Sequence, residues 1–274
     1  MPKLIVFGDL CVDIVAVPRS IPEPGGDATL KHLTLVCGGA AHNCAIAAAR
    51  CGASVEVIGL VGDDEFGRMI LSSLRAHSVG TAHIQSRREA CTGTVLAMVS
   101  PNGERTLYSY RGANAERYGM MPTGLLQGQD YVYLSGYSLQ EPASKETADQ
   151  LKALARACGA IVLLDPSFQS AATLAASGFL EGLDWITPNE TEAALITDHT
   201  GVTNVAVTLG AEGCLINGTR VPAESTNSVA HTTGAGDAFC GGLLAALLDG
   251  CTPVEAAHRA NRAAAAAITH NGSR

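Results

Sequence analysis

The stretch His231–Gly250, HTTGAGDAFCGGLLAALLDG, sets two threonines and a Gly-Ala-Gly run ahead of one carboxylate, Asp237, and then an apolar sequence of helical period. Phe239, Leu243 and Leu247 recur four apart with Leu244 and Leu248 beside them, so the spacing predicts a helix with one buried face. Gly250 supplies the stop, because a residue without Cβ enters the left-handed region at little cost. The helix therefore begins near Gly234–Asp237, and the N–H groups of its first turn have no intrahelical acceptor. Gly234, Ala235 and Gly236 leave that backbone bare, and the helix dipole adds a positive field, which together make an anion site. Asp237 there has two readings. It stabilises the dipole, or it is a base placed where an acceptor hydroxyl meets a transferring phosphoryl group, and spacing alone leaves both open.

Upstream, Gly38–Gly52 reads GGAAHNCAIAAARCG. Its double glycine lets backbone approach a ligand closely, and Asn43 lies in the opening turn of an alanine-rich helix that Gly52 ends. Val55–Gly67, VEVIGLVGDDEFG, follows directly. Leu4–Phe7 is a continuous apolar run closed by Gly8, as expected of a buried parallel strand. Asp13 comes after its C-terminal end, where ligands of open α/β sheets collect, and is a site candidate or a merely solvated loop carboxylate. Ala16–Cys37 differs in character, with Pro18, Pro22, Pro24 and paired glycines before a β-like patch at Leu30–Val36, and it does not read as core. Thr92–Met98 and Arg105–Tyr110 are strand-like around Ser100-Pro101-Asn102-Gly103, a hairpin signal.

From Tyr131 onward strand and helix alternate: Tyr131–Leu134, a helix over about 142–157, Ala160–Leu164, a helix over about 170–181, then Trp185–Thr187. That rhythm is βαβ. Pro188-Asn189-Glu190-Thr191-Glu192 opens the next helix, and acidic first turns of this kind are good caps. Val205–Thr208 is a further buried strand, leading into Leu209-Gly210-Ala211-Glu212-Gly213. Thr252-Pro253-Val254-Glu255 is a capping box with proline at the first helical position, starting a helix that runs to about Ile268.

The 274 residues, 47% hydrophobic, suffice for one large domain or a domain with an appendage. With a net charge of −8 and no extended run of Lys or Arg, the chain lacks the electrostatic footprint of a nucleic-acid binder. Nine cysteines without a C-x-x-C pair read as reduced, mostly buried small residues. The chain runs from MPKLIVFGD straight into a strand, and no apolar run approaches the roughly 18 residues of a membrane span. A cytoplasmic location is the expectation. A Rossmann dehydrogenase fails on position, because Phe239 stands where a third glycine is needed and too little chain follows.

TTGAGDAF with its small-residue helix, taken with the Gly38–Gly67 stretch, closely resembles the paired signatures of the PfkB, or ribokinase-like, family of carbohydrate kinases. The resemblance implies an α/β fold, a ribokinase-like three-layer αβα sandwich around a mostly parallel sheet, with a small β lid. Residues 1–10, 38–87 and 113–274 would form the core with the ATP site, and 11–37 and 88–112 the lid over the substrate. It makes Asp237 the catalytic base and the amides of Gly234, Ala235 and Gly236 the anion hole. Asp13, Gly38, Gly39 and Asn43 would hold the acceptor hydroxyls. Thr208, Gly210, Gly213 and Asn261 would hold ATP, and Asn189 with Glu192 would organise Mg²⁺ through water.

The implied activity is ATP-dependent phosphorylation of a primary hydroxyl on an unphosphorylated sugar. Alternatives are a nucleoside kinase of the same family, or an inactive sugar- or nucleotide-binding relative. Ala40 and Ala41 stand where members acting on ribose or phosphorylated fructose often carry a glycine and a lysine, which argues against a phosphorylated acceptor. Asp165-Pro166-Ser167 also lacks the arginine-bearing extension of many fructokinase-like members. His231 replaces the aspartate that usually precedes the threonines in K⁺-activated members, so K⁺ dependence is doubtful. The chain is short between Glu192 and Thr208 and stops early at Arg274, which implies one crossover helix and one last helix fewer. A two-stranded ribbon is marginal alone, so the lid needs a partner surface, and a homodimer through the lid is expected.

Overall fold

The computed structural model describes residues 2–100, 104–167, 171, 173–174, 177–196, 201–226 and 232–269. Strand β1 (Leu4–Phe7) explains the layering, because all four of its side chains are buried and alternate between two cores. Leu4 and Val6 join the cluster that holds Cys44 and Leu243, whereas Ile5 and Phe7 join the one that holds Leu151 and Ala155. A side-chain period of two makes an uninterrupted apolar run serve helices on both faces of a parallel sheet.

Around β1 the large sheet is ordered β13-β12-β11-β10-β9-β8-β1-β4-β5. The strands are β4 (Val55–Gly62), β5 (Gly80–Arg87), β8 (Tyr131–Ser135), β9 (Ile161–Asp165), β10 (Trp185–Ile186), β11 (Asn204–Thr208), β12 (Cys214–Ile216) and β13 (Thr219–Val221). Pairing from β11 through β5 is parallel, and the β11–β12 and β12–β13 pairs are antiparallel, so β12 alone is reversed. The helices are α1 (Ala40–Arg50), α2 (Glu65–Ala76), α3 (Pro142–Cys158), α4 (Glu190–Leu195), α5 (Ala235–Leu248) and α6 (Pro253–Thr269). This is the expected αβα sandwich.

Four strands form a separate sheet, ordered β3-β2-β6-β7: β2 (Cys11–Pro18), β3 (Leu30–Gly38), β6 (Gly93–Val99) and β7 (Arg105–Tyr110). The Thr92–Met98 and Arg105–Tyr110 runs do pair antiparallel, while the turn residues 101–103 lie outside those described. Asp13 is not in a loop. It is the third residue of β2, opposite Val36 and Val95.

Helix α5 departs from the expected single buried face, since every residue from Ala238 to Ala246 is buried. It runs between α1 and α6 with glycines at both contacts. A Cβ on Gly241 would lie 2.5 Å from the Cys44 carbonyl oxygen, and one on Gly242 2.6 Å from the Ala263 Cβ. The helix is covered on its flanks as well as beneath, so apolar periodicity cannot single out one face.

Of the helix expected over 170–181, Ala171, Thr173 and Leu174 are helical, residues 170, 172, 175 and 176 lie outside those described, and Ser177–Gly182 form bends and turns. No helix follows α4 before β11 among the described residues, yet β10 and β11 pair in parallel. Helix α6 starts at Pro253, and Thr252 and Glu255 make the predicted box, Thr252 N donating to Glu255 Oε2 at 2.9 Å.

Candidate active site

Gly234 caps α5 in the left-handed conformation, φ 80°. A Cβ built on Gly236 would meet no atom within 4 Å. The protein's own packing therefore does not demand glycine there, and the bare backbone faces space that a ligand can enter. The Ala235 amide leans on the Thr232 carbonyl at 3.3 Å, the long end of a hydrogen bond.

Asp237, half-buried in the same turn, accepts a 2.8 Å hydrogen bond from Asn43 Nδ2, across 194 residues of chain. The two sequence signatures thus meet side chain to side chain. What holds them there is the close approach of α1 to α5 at Gly241. Asp13 and Gly38 adjoin, since a Cβ on Gly38 would sit 3.0 Å from Asp13 Oδ2. Gly39, at φ 94°, lies over the Asp9 carbonyl, which also accepts from Ala41 N at 3.2 Å. Asp13, Gly38, Gly39, Asn43 and Asp237 form one continuous wall.

A second group gathers at the ends of β10 and β11. Thr208 bridges to Asn189 and donates its amide to the Pro188 carbonyl at 2.9 Å. Gly213, φ 94°, presses against β13, and a Cβ there would come 2.1 Å from the Val221 carbonyl oxygen. Gly210, φ 56°, faces open space. Asn261 is 7% exposed, and its Nδ2 donates to the Val221 and Pro222 carbonyls. Its amide nitrogen is engaged in tying α6 to the strand that Gly213 packs on, so it builds the wall of this group.

Asn189 and Glu192 make a complete capping box on α4, each side chain accepting the other's backbone N–H at 2.9 Å. The capping reading is thereby realised. Glu192 is 6% exposed, and burial raises its carboxyl pKa. His231 lies outside the described residues. Among the described residues no three His, Cys, Asp or Glu side chains cluster as direct metal ligands.

Three polar features were missed in the sequence. Asp165 ends β9 partly buried and accepts from the Tyr133 hydroxyl at 3.0 Å. Burial, then the charge of nearby Asp237, pushes its carboxyl well above the usual range. Asp9 pairs with Arg111 at 2.7 Å where the chain crosses between the two sheets. Burial pushes Asp9 up to about 6 against the pull of Arg111, and Arg111 Nε is buried without a partner. Arg105, on β7, donates to Thr233 Oγ1 just ahead of the Gly-Ala-Gly turn. One face of the smaller sheet is therefore turned toward α5. The apolar run IVLLD ending in an acid was the available signal for Asp165. Neither arginine has a local one.

A family model described as pfkB family carbohydrate kinase matches residues 1–274. A fructokinase of Vibrio alginolyticus is 30% identical over 278 residues, covering 90% of this chain and 84% of the relative. The fold is similar to that of an Arabidopsis thaliana ribokinase solved with ribose and ATP, at 24% identity and TM-score 0.86, covering 99% of this chain and 94% of that one. It is similar also to a Methanocaldococcus jannaschii nucleoside kinase, at 19% identity and TM-score 0.87, covering 99% of this chain and 93% of that one.

Proposed function

The chain belongs to the pfkB family of carbohydrate kinases, and from that premise we propose that it transfers the γ-phosphoryl group of ATP to a primary hydroxyl of an unphosphorylated sugar. The observation that carries this reading is the 2.8 Å bond between Asn43 and Asp237. An acceptor hydroxyl held by Asp13 and Asn43 lies within reach of the Asp237 carboxylate, and the γ-phosphoryl group lies on the amides of Gly234–Gly236. Asp237 removes the hydroxyl proton as the phosphorus–oxygen bond forms, ADP leaves, and the helix dipole stabilises the charge that develops. Thr208, Gly210 and Gly213 cradle the remaining phosphates.

Mg²⁺ fits the acidity of this surround. Asp237, Asp165, Glu192 and Asp9 all raise the pKa of the Tyr137 phenol, after its burial, so a cation near them is favoured. Asn189 and Glu192 would hold it through water, as Mg²⁺ keeps much of its hydration. Bound there it neutralises phosphate charge.

The smaller sheet serves as a lid that excludes competing water. The face that Arg105 turns toward Thr233 carries Val15, Thr34, Ala97 and Leu107 in one row across all four strands, and Leu107 is 60% exposed. So much aliphatic surface over the acceptor favours a second reading, a nucleoside whose base lies against it. ADP release measured over pentoses, hexoses, sugar acids and nucleosides decides between them, and silence across the whole set would sink both.

Asn43→Ala is expected to raise the acceptor KM about tenfold or more, the loss of hydrogen bonds to a polar ligand, with ATP affinity little changed. If ATP binding alone suffered, the two halves of the site are misplaced. Turnover is expected to change little when K⁺ is replaced by a bulky organic cation at constant ionic strength, because imidazole nitrogen at His231 is a poor alkali-cation ligand. A gain of about tenfold on restoring K⁺, worth 1.4 kcal/mol of transition-state stabilisation, would reveal a cation site without the carboxylate.

The opposite lid face sets Leu35 (45% exposed), Ile14, Leu96 (37%) and Tyr108 (61%) in a row. A contiguous apolar row of this kind marks an interface, and we expect two copies to pair through it. Sedimentation should give a dimer, and Leu35→Glu with Tyr108→Glu a monomer. A wild-type monomer at assay concentration would rule the pairing out.

A further inference from the structure

A cavity of about 570 Å³ opens between α1, α6 and the start of α5, within the ~300–1,000 Å³ range of small-molecule sites. Its body is aliphatic, with Ile46, Ala47, Ala238, Ala263, Ala266 and Ala267 on the walls. Three arginines, Arg50, Arg259 and Arg262, also face it, in a chain whose net charge is −8. Arg259 is neutralised by Asp249 at 2.7 Å. Arg50 donates to His77 at 3.0 Å, which brings no negative charge, and Arg262 forms no ion pair among the described residues. Cys51, the chain neighbour of Arg50, also belongs to the lining.

We propose that this cavity is a second ligand site, for an organic phosphomonoester of nucleoside monophosphate size. Arg50 and Arg262 take the phosphate, since guanidinium forks match its oxygens, and the alanine-lined groove takes an apolar body. The volume exceeds what a free inorganic anion needs. Asn43 and Gly234 belong to the same lining, so occupancy touches the phosphoryl-transfer site from behind.

Cys51 is exposed and reports locally. The full chain is alkylated with iodoacetamide at mildly alkaline pH, and the Cys51 and Cys91 peptides are followed by mass spectrometry, with AMP, adenosine or inorganic phosphate as probes. Cys91, exposed and outside the lining, is the internal reference. AMP at ten times its dissociation constant should slow Cys51 alkylation about fivefold or more, adenosine and phosphate far less, and Cys91 should not respond. Arg50→Gln with Arg262→Gln should abolish the protection while leaving the ATP KM unchanged. Because those substitutions also change the thiol itself, the ratio with and without AMP is compared within each variant. No protection, or equal protection in the variant, overturns the site. Equal protection by phosphate overturns the organic ligand.

Discussion

Asp237→Asn is expected to lower kcat by about 10²–10⁴, the usual worth of a general base, or roughly 3–5 kcal/mol of barrier. The amide has nearly the shape of the carboxylate, and its oxygen can still accept from Asn43, which donates to Asp237 at 2.8 Å in the native chain. Local geometry is therefore kept and only the proton acceptor is lost. ATP should bind with unchanged affinity, since the amides of Gly234–Gly236 are untouched. Steady-state kinetics beside ATP calorimetry separate the two effects. Near-native turnover would reduce Asp237 to a residue that merely stabilises its helix.

The second large effect is structural. Gly39→Ala is expected to cost about 3 kcal/mol or more, combining a backbone region that only glycine occupies readily with overpacking. Gly39 has φ 94° and ψ 148°, and a Cβ there would lie 2.3 Å from the Asp9 carbonyl oxygen. That contact cannot relax cheaply, because the same carbonyl accepts from Ala41 N and the Asp9 side chain is paired with Arg111. A fall in Tm on the order of 10 °C follows. Gly52 is the control, with φ 95° and no atom within 4 Å of a Cβ, so Gly52→Ala suffers the backbone strain alone. If both variants melted together, close approach to Asp9 would not be what requires glycine.

Much of this was legible because its causes are local. The run LIVF names a strand buried on both faces, and capping boxes at Asn189 and Thr252 show in four-residue spacing. Elements whose identity depends on distant partners were not legible. Strand β5 reads GTAHIQSR, with little apolar content, because it lies at an edge of the sheet. Strand β2 was hidden behind the prolines that follow it, and α5 hid how completely it is enclosed. For the site, glycine spacing pointed to Asn43 and Asp237 but not to their mutual bond. Arg105 meets Thr233 across 128 residues, a relation no local pattern carries. Asn261 matched by position, yet the fold ties its amide nitrogen to backbone carbonyls.

The smaller sheet is drawn from two separated segments, β2–β3 and β6–β7, joined through the parallel β2–β6 pair with Asp13 opposite Val95. During synthesis that pair cannot form until β4, α2 and β5 have been made, so a long loop must be closed first. All four of its strands have nevertheless emerged by Tyr110, whereas β8, the second neighbour of β1, starts at Tyr131, and α5 comes only at Ala235. The nascent chain thus completes the smaller sheet before it possesses α5. A released fragment ending shortly after Ala115 should already protect β2 and β6 amides from hydrogen exchange, while β1 still lacks one of its two neighbours.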